Sequence, residues 1–212
     1  MTDLTQSLPV HSRKRPRERR LARIHRIVVH CTGVEGWSPQ RLAEYDIGPN
    51  HISRTGCPVM TYHDYIQSPT GKPEHLEIFH CVPYEYITWH AAIYNRRSIA
   101  VAIEYDPKED LQPEWRLMKL LTDHLKNLCI DFGLHPNRIR GHRELRGTGF
   151  WWIRGHKVLR KTCPGMKVKM GGVRKSVTLK IQESLGVEAD GIWGPVTQRA
   201  FDGTRRKIRS CG

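Results

Sequence analysis

In Arg26-Ile27-Val28-Val29-His30-Cys31-Thr32, the residues from Arg26 to His30 read as a buried strand with a histidine at its end. Three consecutive β-branched residues suit a pleated segment covered on both faces, and a buried strand end holds the following ring rigidly. A second such run, Ser98 to Tyr105, is apolar on both faces through Ile99, Ala100, Val101, Ala102 and Ile103, which places it mid-sheet. Strands are also expected over 56–67 and 76–82, separated by the turn-forming Ser68-Pro69-Thr70-Gly71, and over 138–141. Helical signals lie between them. Ser38-Pro39 supplies an N-cap and a first-turn proline for a helix over 40–46. Leu117, Leu121, Leu125 and Leu128 repeat at helical spacing between Pro113-Glu114 and the stop at Gly133. Strands interleaved with helices predict an α/β fold: a mixed central β-sheet flanked by helices, with a small helical element at the C-terminus.

The chain has 212 residues, enough for one good-sized domain and something small beside it. Its formal charge of +14 calls for an anionic partner. Nucleic acid is one candidate, and a bacterial wall with phosphate-bearing polymers and peptide carboxylates is another. Charge alone does not choose between them. Arg13, Lys14, Arg15, Arg17, Arg19 and Arg20 form a basic block followed by polar residues instead of an apolar segment, so no secretory pattern is read. No apolar run reaches membrane-spanning length, and a soluble protein made in the cytoplasm is expected. The six cysteines form no C-x-x-C pair and no disulfide framework is read from their spacing. Cys129 falls on the apolar face of the leucine helix, whereas Cys163, in Lys161-Thr162-Cys163-Pro164-Gly165, sits in a context that favours ligation.

His30, the His142 of Gly141-His142-Arg143-Glu144 and Cys163 together make a candidate three-ligand metal site. Three nitrogen or sulfur donors with one position left for water is the arrangement catalytic zinc uses. Either histidine alone would more often be a hydrogen-bonded core residue. In order and context, these motifs resemble the type 2 N-acetylmuramoyl-L-alanine amidases, whose fold is shared with peptidoglycan recognition proteins and small phage amidases; the resemblance runs from about Arg23 to Lys167. It implies Zn2+ held by His30, His142 and Cys163, and hydrolysis of the amide between N-acetylmuramic acid and L-alanine of the stem peptide. It further implies catalytic roles for Tyr62, in Met60-Thr61-Tyr62-His63, and for Lys161, and substrate contacts for His90 and Asn95. One branch of the family carries a glutamate where this chain has Ala102, and Glu104 follows on the same strand face without matching it. The chain therefore sides with the tyrosine branch, leaving Tyr62, Lys161 or Glu104 to handle the proton. The interval between His142 and Cys163, which includes Trp151-Trp152, is longer than compact family members carry.

The basic, glycine-containing run from Lys167 to Lys175 reads as a linker. Beyond it, Asp190-Gly191-Ile192-Trp193-Gly194-Pro195-Val196-Thr197 resembles the turn of a small helical peptidoglycan-binding module. That resemblance implies wall contacts by Asp190, Gly191, Trp193, Gly194 and Thr197. The expected division is a basic N-terminal extension over 1–22, a zinc amidase domain over 23–167, a linker over 168–175, a peptidoglycan-binding-like element over 176–204 and a basic tail over 205–212. Removing everything after Met170 should then spare the metal site. The expected partner is bacterial peptidoglycan, met by a monomer; nucleic acid is disfavoured. The biology that fits is a phage or prophage endolysin, made in the host cytoplasm and acting on the wall after release during lysis. Two rivals stand beside it. A non-catalytic peptidoglycan-recognition module is opposed by Cys163, and a basic nucleic-acid-binding protein leaves the His, His, Cys set without a purpose.

Overall fold

The two runs that are apolar on both faces lie next to each other at the centre of the sheet. The computed structural model describes residues 1–107, 113–145, 163–165 and 167–210, with side chains apart from those of Pro73 and residues 205–210. Its strands are β1 (Thr2–Asp3), β2 (Arg17–Glu18), β3 (Arg26–Cys31), β4 (Asp64–Gln67), β5 (Glu77–His80), β6 (Tyr86–Ile87), β7 (Ser98–Ile103) and β8 (Ile139–Gly141). Its helices are α1 (Pro39–Ile47), α2 (Trp115–Asp131), α3 (Met170–Leu185) and α4 (Pro195–Ser210). Six strands form one sheet in the order β1-β5-β4-β7-β3-β8, and β2 pairs with β6 in a separate antiparallel ribbon. Within the large sheet β4, β7, β3 and β8 run parallel, while β5 is antiparallel to β4. This is the α/β architecture with a mixed central sheet that the patterning predicts.

Alternation along the central strands divides the residues between two layers. Ile27, Val29 and Cys31 of β3 and Ile99, Val101 and Ile103 of β7 pack with the leucine face of α2 and with Met170, Val173, Val177 and Ile181 of α3. Each fully buried Leu, Ile or Val in this layer contributes roughly 1.5–3 kcal/mol. On the other face β7 presents Ser98, Ala100 and Ala102, all buried and all small. There Leu42 and Ala43 of α1 pack with Met60, Tyr65 and Ala102. Ala102 is the cross-strand partner of His30. Small side chains on that face leave space for rings.

Three local differences from the sequence reading have physical causes. The strand expected over 56–67 begins only at Asp64, and two of the amides before it go to α1: Cys57 N–H donates to Asp46 O and Thr61 N–H to the Asp46 carboxylate. Burial pushes that carboxyl up to about 6. The N-terminal extension is tied down: β1 pairs with β5, and the buried Arg19 donates to the carbonyls of Tyr84, Asn95 and Ser98. The run expected as a linker over 168–175 is helical from Met170, and its apolar residues at i, i+3, i+7 and i+11 complete the main core instead of spanning solvent. Phe201 of α4 belongs to the same core. A cut after Met170 would therefore remove residues that pack in the α2 layer.

Candidate active site

His30 and His142 sit at the carboxyl ends of adjacent parallel strands, where open α/β sheets place their ligands. His30 is the penultimate residue of β3, and His142 directly follows β8. Their rings lie 4.6 Å apart. Cys163 completes the group: one donor atom from each of the three residues lies within 4.8 Å of the others, and Cys163 Sγ is 3.7 Å from His30 Nδ1. Two such donors on one tetrahedral zinc would stand about 3.5 Å apart. The trio thus has the donor chemistry of a zinc site, and one of its pairs stands near that separation. Cys31 N–H points at Cys163 Sγ from 3.2 Å, an amide dipole that favours the thiolate a metal needs.

A hydrogen-bond chain behind His30 sets its tautomer. Ser98 Oγ donates to the carbonyl of Tyr94 at 2.7 Å, an oxygen that can only accept. The same hydroxyl therefore accepts from His90 Nε2, 3.0 Å away. With its proton on Nε2, His90 offers Nδ1 as acceptor to His30 Nε2–H, also at 3.0 Å. Burial holds His90 well below the usual imidazole range, so it is neutral and carries one ring proton. His30 is left with its lone pair on Nδ1, the atom that faces Cys163.

The cysteine is held by Arg143, whose role the sequence did not reveal. Arg143 N–H donates to Cys163 O at 2.9 Å, and its guanidinium donates to Gly165 O and Val168 O. Gly141 and Gly165 allow the close packing this needs. A Cβ at Gly141 would stand 3.0 Å from both Pro164 and Met170, and Gly165 has φ +101° with Tyr105 against it. Glu144 accepts from Gly141 N–H and pairs with Arg174 of α3 at 2.8 Å. The signal for this clamp was present in Gly141-His142-Arg143-Glu144, but only the histidine was read from it.

The donors form the floor of a cavity of about 550 Å3. Tyr62 lines it beside His30, with ring centroids 5.4 Å apart. Burial, then the neighbouring Cys163, pushes its phenol well above the usual range. His51, Ile52 and Trp89 also line the cavity, although sequence reasoning assigned them nothing.

A family model for N-acetylmuramoyl-L-alanine amidase (Amidase_2) matches residues 20–166. The chain belongs to this amidase family. Solved structures agree on the fold at low identity. An endolysin N-acetylmuramoyl-L-alanine amidase, LysCS from Clostridium intestinale URNW, is 18% identical with a TM-score of 0.55, covering 88% of this chain and 95% of its own. The catalytic domain of XlyA is also 18% identical with a TM-score of 0.55, covering 84% and 99%. Bumblebee PGRP-SA is 10% identical with a TM-score of 0.57, covering 80% and 91%. No curated protein matches the sequence.

Within this amidase fold the other site residues of the sequence reading are distributed unevenly. His90 and Asn95 line the cavity, but His90 stands behind His30, and Asn95 Oδ1 accepts from the amides of His90 and Ala91. Glu104 does not line this cavity, and its carboxylate accepts from Gly36 N–H and Ser68 N–H. Lys161 and Trp151-Trp152 lie outside the described residues. The Asp190 to Thr197 turn is built around Gln182, which is 1% exposed. Gln182 donates to Asp190 Oδ1 and accepts from Gly191 N–H, and its Nε2 lies 3.2 Å from the buried Thr197 hydroxyl. The Trp193 ring packs between His135 and Phe201. The exposed apolar residues of the turn and the adjoining start of α4 are Ile192 and Val196. Among the described residues, no helix is long and apolar enough to cross a membrane.

Proposed function

We propose that the chain is a zinc-dependent peptidoglycan hydrolase that cleaves the amide between the lactyl group of N-acetylmuramic acid and L-alanine. The observation that carries this reading is the convergence of His30, His142 and Cys163 on the floor of an open cavity in an amidase-family fold. Zinc held there supplies Lewis-acid activation of water and of the amide carbonyl. Tyr62 offers a phenolic O–H beside His30 to the developing oxyanion or the proton in transit. Lys161, on sequence grounds, adds a cation to the same task. Ser98 and His90 hold His30 in the tautomer that presents Nδ1, and Arg143 holds the loop that delivers Cys163. Trp89 and Ile52, both exposed, give the cavity an apolar flank for a sugar face. The endolysin named among the structural relatives supports a lytic role in a phage or prophage setting.

The test is mass spectrometry of sacculi digested with purified protein, alongside elemental analysis. The reading expects stem peptides beginning with free L-alanine, intact glycan strands and about one zinc per chain. New reducing sugar ends without free L-alanine amines would replace the amidase with a glycosidase. Full hydrolysis in a strong chelator would remove zinc from the mechanism.

A further inference from the structure

Two cavities lie at the amino-terminal ends of the parallel strands, the pole of the sheet away from His30 and His142. One, of about 560 Å3, is lined by His25, Arg26, Arg97, His135 and Arg138 together with Trp193 and Phe201. The other, of about 540 Å3, is lined by Arg17, Arg19, Arg23, Arg96 and Arg97, with Glu18 as its acid. His25 and Arg97 line both, so the two form one arginine groove. The C-terminal turn and α4 complete its wall through Trp193, Gln198 and Phe201.

The groove's arginines outnumber its one lining acid, Glu18. Arg17, Arg23, Arg96, Arg97 and Arg138 are exposed, and none of them is in an ion pair among the described residues. Arg26 has a buried Nε without a hydrogen-bond partner, although its guanidinium lies over the Tyr94 ring. Converging guanidinium groups repel one another unless an anion sits among them, and their planar forks match oxyanions in pairs. Each cavity is far larger than a single oxyanion, which favours a chain of repeated anions. Single-stranded nucleic acid would also want an aromatic face for its bases. The aromatic residues lining the groove are engaged within the protein: Trp193 packs against His135 and Phe201, with ring centroids 4.4 Å and 5.1 Å away, and its N–H is bonded to Gln198, while Phe132 packs against Tyr84 and Phe201 is buried.

We propose that this groove binds an anionic phosphodiester polymer of the bacterial envelope, such as a polyol phosphate without bases, and holds the protein there while the opposite pole engages peptidoglycan. The choice of an envelope polymer rests on the hydrolase reading above. The C-terminal element then serves the wall by building one side of an arginine groove.

Calorimetric titration with purified poly(glycerol phosphate), which contains no muramoyl amide, tests the groove independently of catalysis. Arg97→Glu and Arg138→Glu should each weaken binding by about tenfold at low salt, the scale of one charge-assisted contact. Lys72→Glu, the same charge change on the β4–β5 turn, should leave it nearly unchanged. Affinity of the native chain should fall steeply between about 50 and 200 mM salt, with a shallower slope in the groove variants. Arg97→Gln and Arg138→Gln, with unchanged thermal melting, guard against misfolding as the cause. Equal losses from Lys72→Glu, or no binding by a chain that still hydrolyses sacculi, would overturn the groove. Tighter binding of an equally charged DNA oligomer would overturn the choice of polymer. Polymer binding with the losses expected at Arg97 and Arg138, in a chain that hydrolyses nothing, supports the groove and counts instead against the hydrolase reading.

Discussion

Two polar clusters are buried to the same depth on opposite faces of the sheet, and they solve the burial problem in opposite ways. On the α2 face Asp64, fully buried, accepts from His80 at 2.8 Å, from His124 at 2.9 Å and from the Tyr84 hydroxyl. That cluster contains its own anion. On the other face His30 and His142 are 2% and 6% exposed, close to the 4% of His124, yet no Asp or Glu is among the described residues lining their cavity. Their partner is a sulfur, and their donor atoms converge on a point between them. Since burial is equal, desolvation does not separate the two. What separates them is the sign of the missing charge: one cluster is closed by a carboxylate, the other calls for a cation.

The sharpest way to break this contrast is to remove a donor. Cys163→Ser should abolish zinc binding and hydrolysis while leaving the melting temperature of the metal-free chain nearly unchanged, as read by elemental analysis and calorimetry. Cys31→Ser, one residue from a ligand, should retain metal; equal loss would assign the thiol wrongly. In the closed cluster the effects should reverse. Asp64→Asn should destabilise the fold by about 3–5 kcal/mol, the cost of breaking a buried charged network, and folded protein should still bind zinc. Chemical denaturation with a zinc titration checks both halves.

A smaller effect separates ligand from support. Ser98→Ala removes the acceptor that fixes the His90 proton, and zinc affinity in chelator competition should drop by about 10–100-fold. Ser98→Thr should restore it, since the hydroxyl returns. Unchanged affinity would mean that His30 finds its tautomer without the chain. An effect of similar size is that of pH. Hydrogen bonds and charge from His124 and His80 hold the Asp64 carboxyl at about 2 despite its burial, below the ordinary 3.8. Its stabilisation is therefore complete above pH 3.8 and lost as pH falls through about 2, a decline of about 2 kcal/mol. Asp64→Asn should lack this acid limb in denaturation measured across that range.

What could be read beforehand follows from how local each signal is. β3, β7 and α2 announce themselves by apolar runs and leucine spacing, and the three donors stand in short motifs around His30, His142 and Cys163. The Ser98–His90–His30 chain could not be read, because it depends on β7 and the turn before it meeting β3 across the sheet. β1 and β2, two residues each, have no pattern of their own and exist only through their partners. The start of α3 was hidden by Gly171-Gly172 and its lysines and arginine, which look like a tether until Met170, Val173, Val177 and Ile181 are placed on one face.

That helix changes how the protein can be recombined. Wall hydrolases invite module swapping, in which a catalytic piece is spliced to a new targeting piece at the apparent joint. Here the joint lies inside the hydrophobic layer, and the helix carries Arg174, whose partner Glu144 is two residues from His142. A chimera spliced anywhere between 168 and 185 should inherit a cavity against α2, and one spliced before Arg174 should also lose that residue's support of Glu144 beside His142. The part of the chain that packs as one core extends through Ile181 of that helix, and Phe201 belongs to it with Trp193 packed against it.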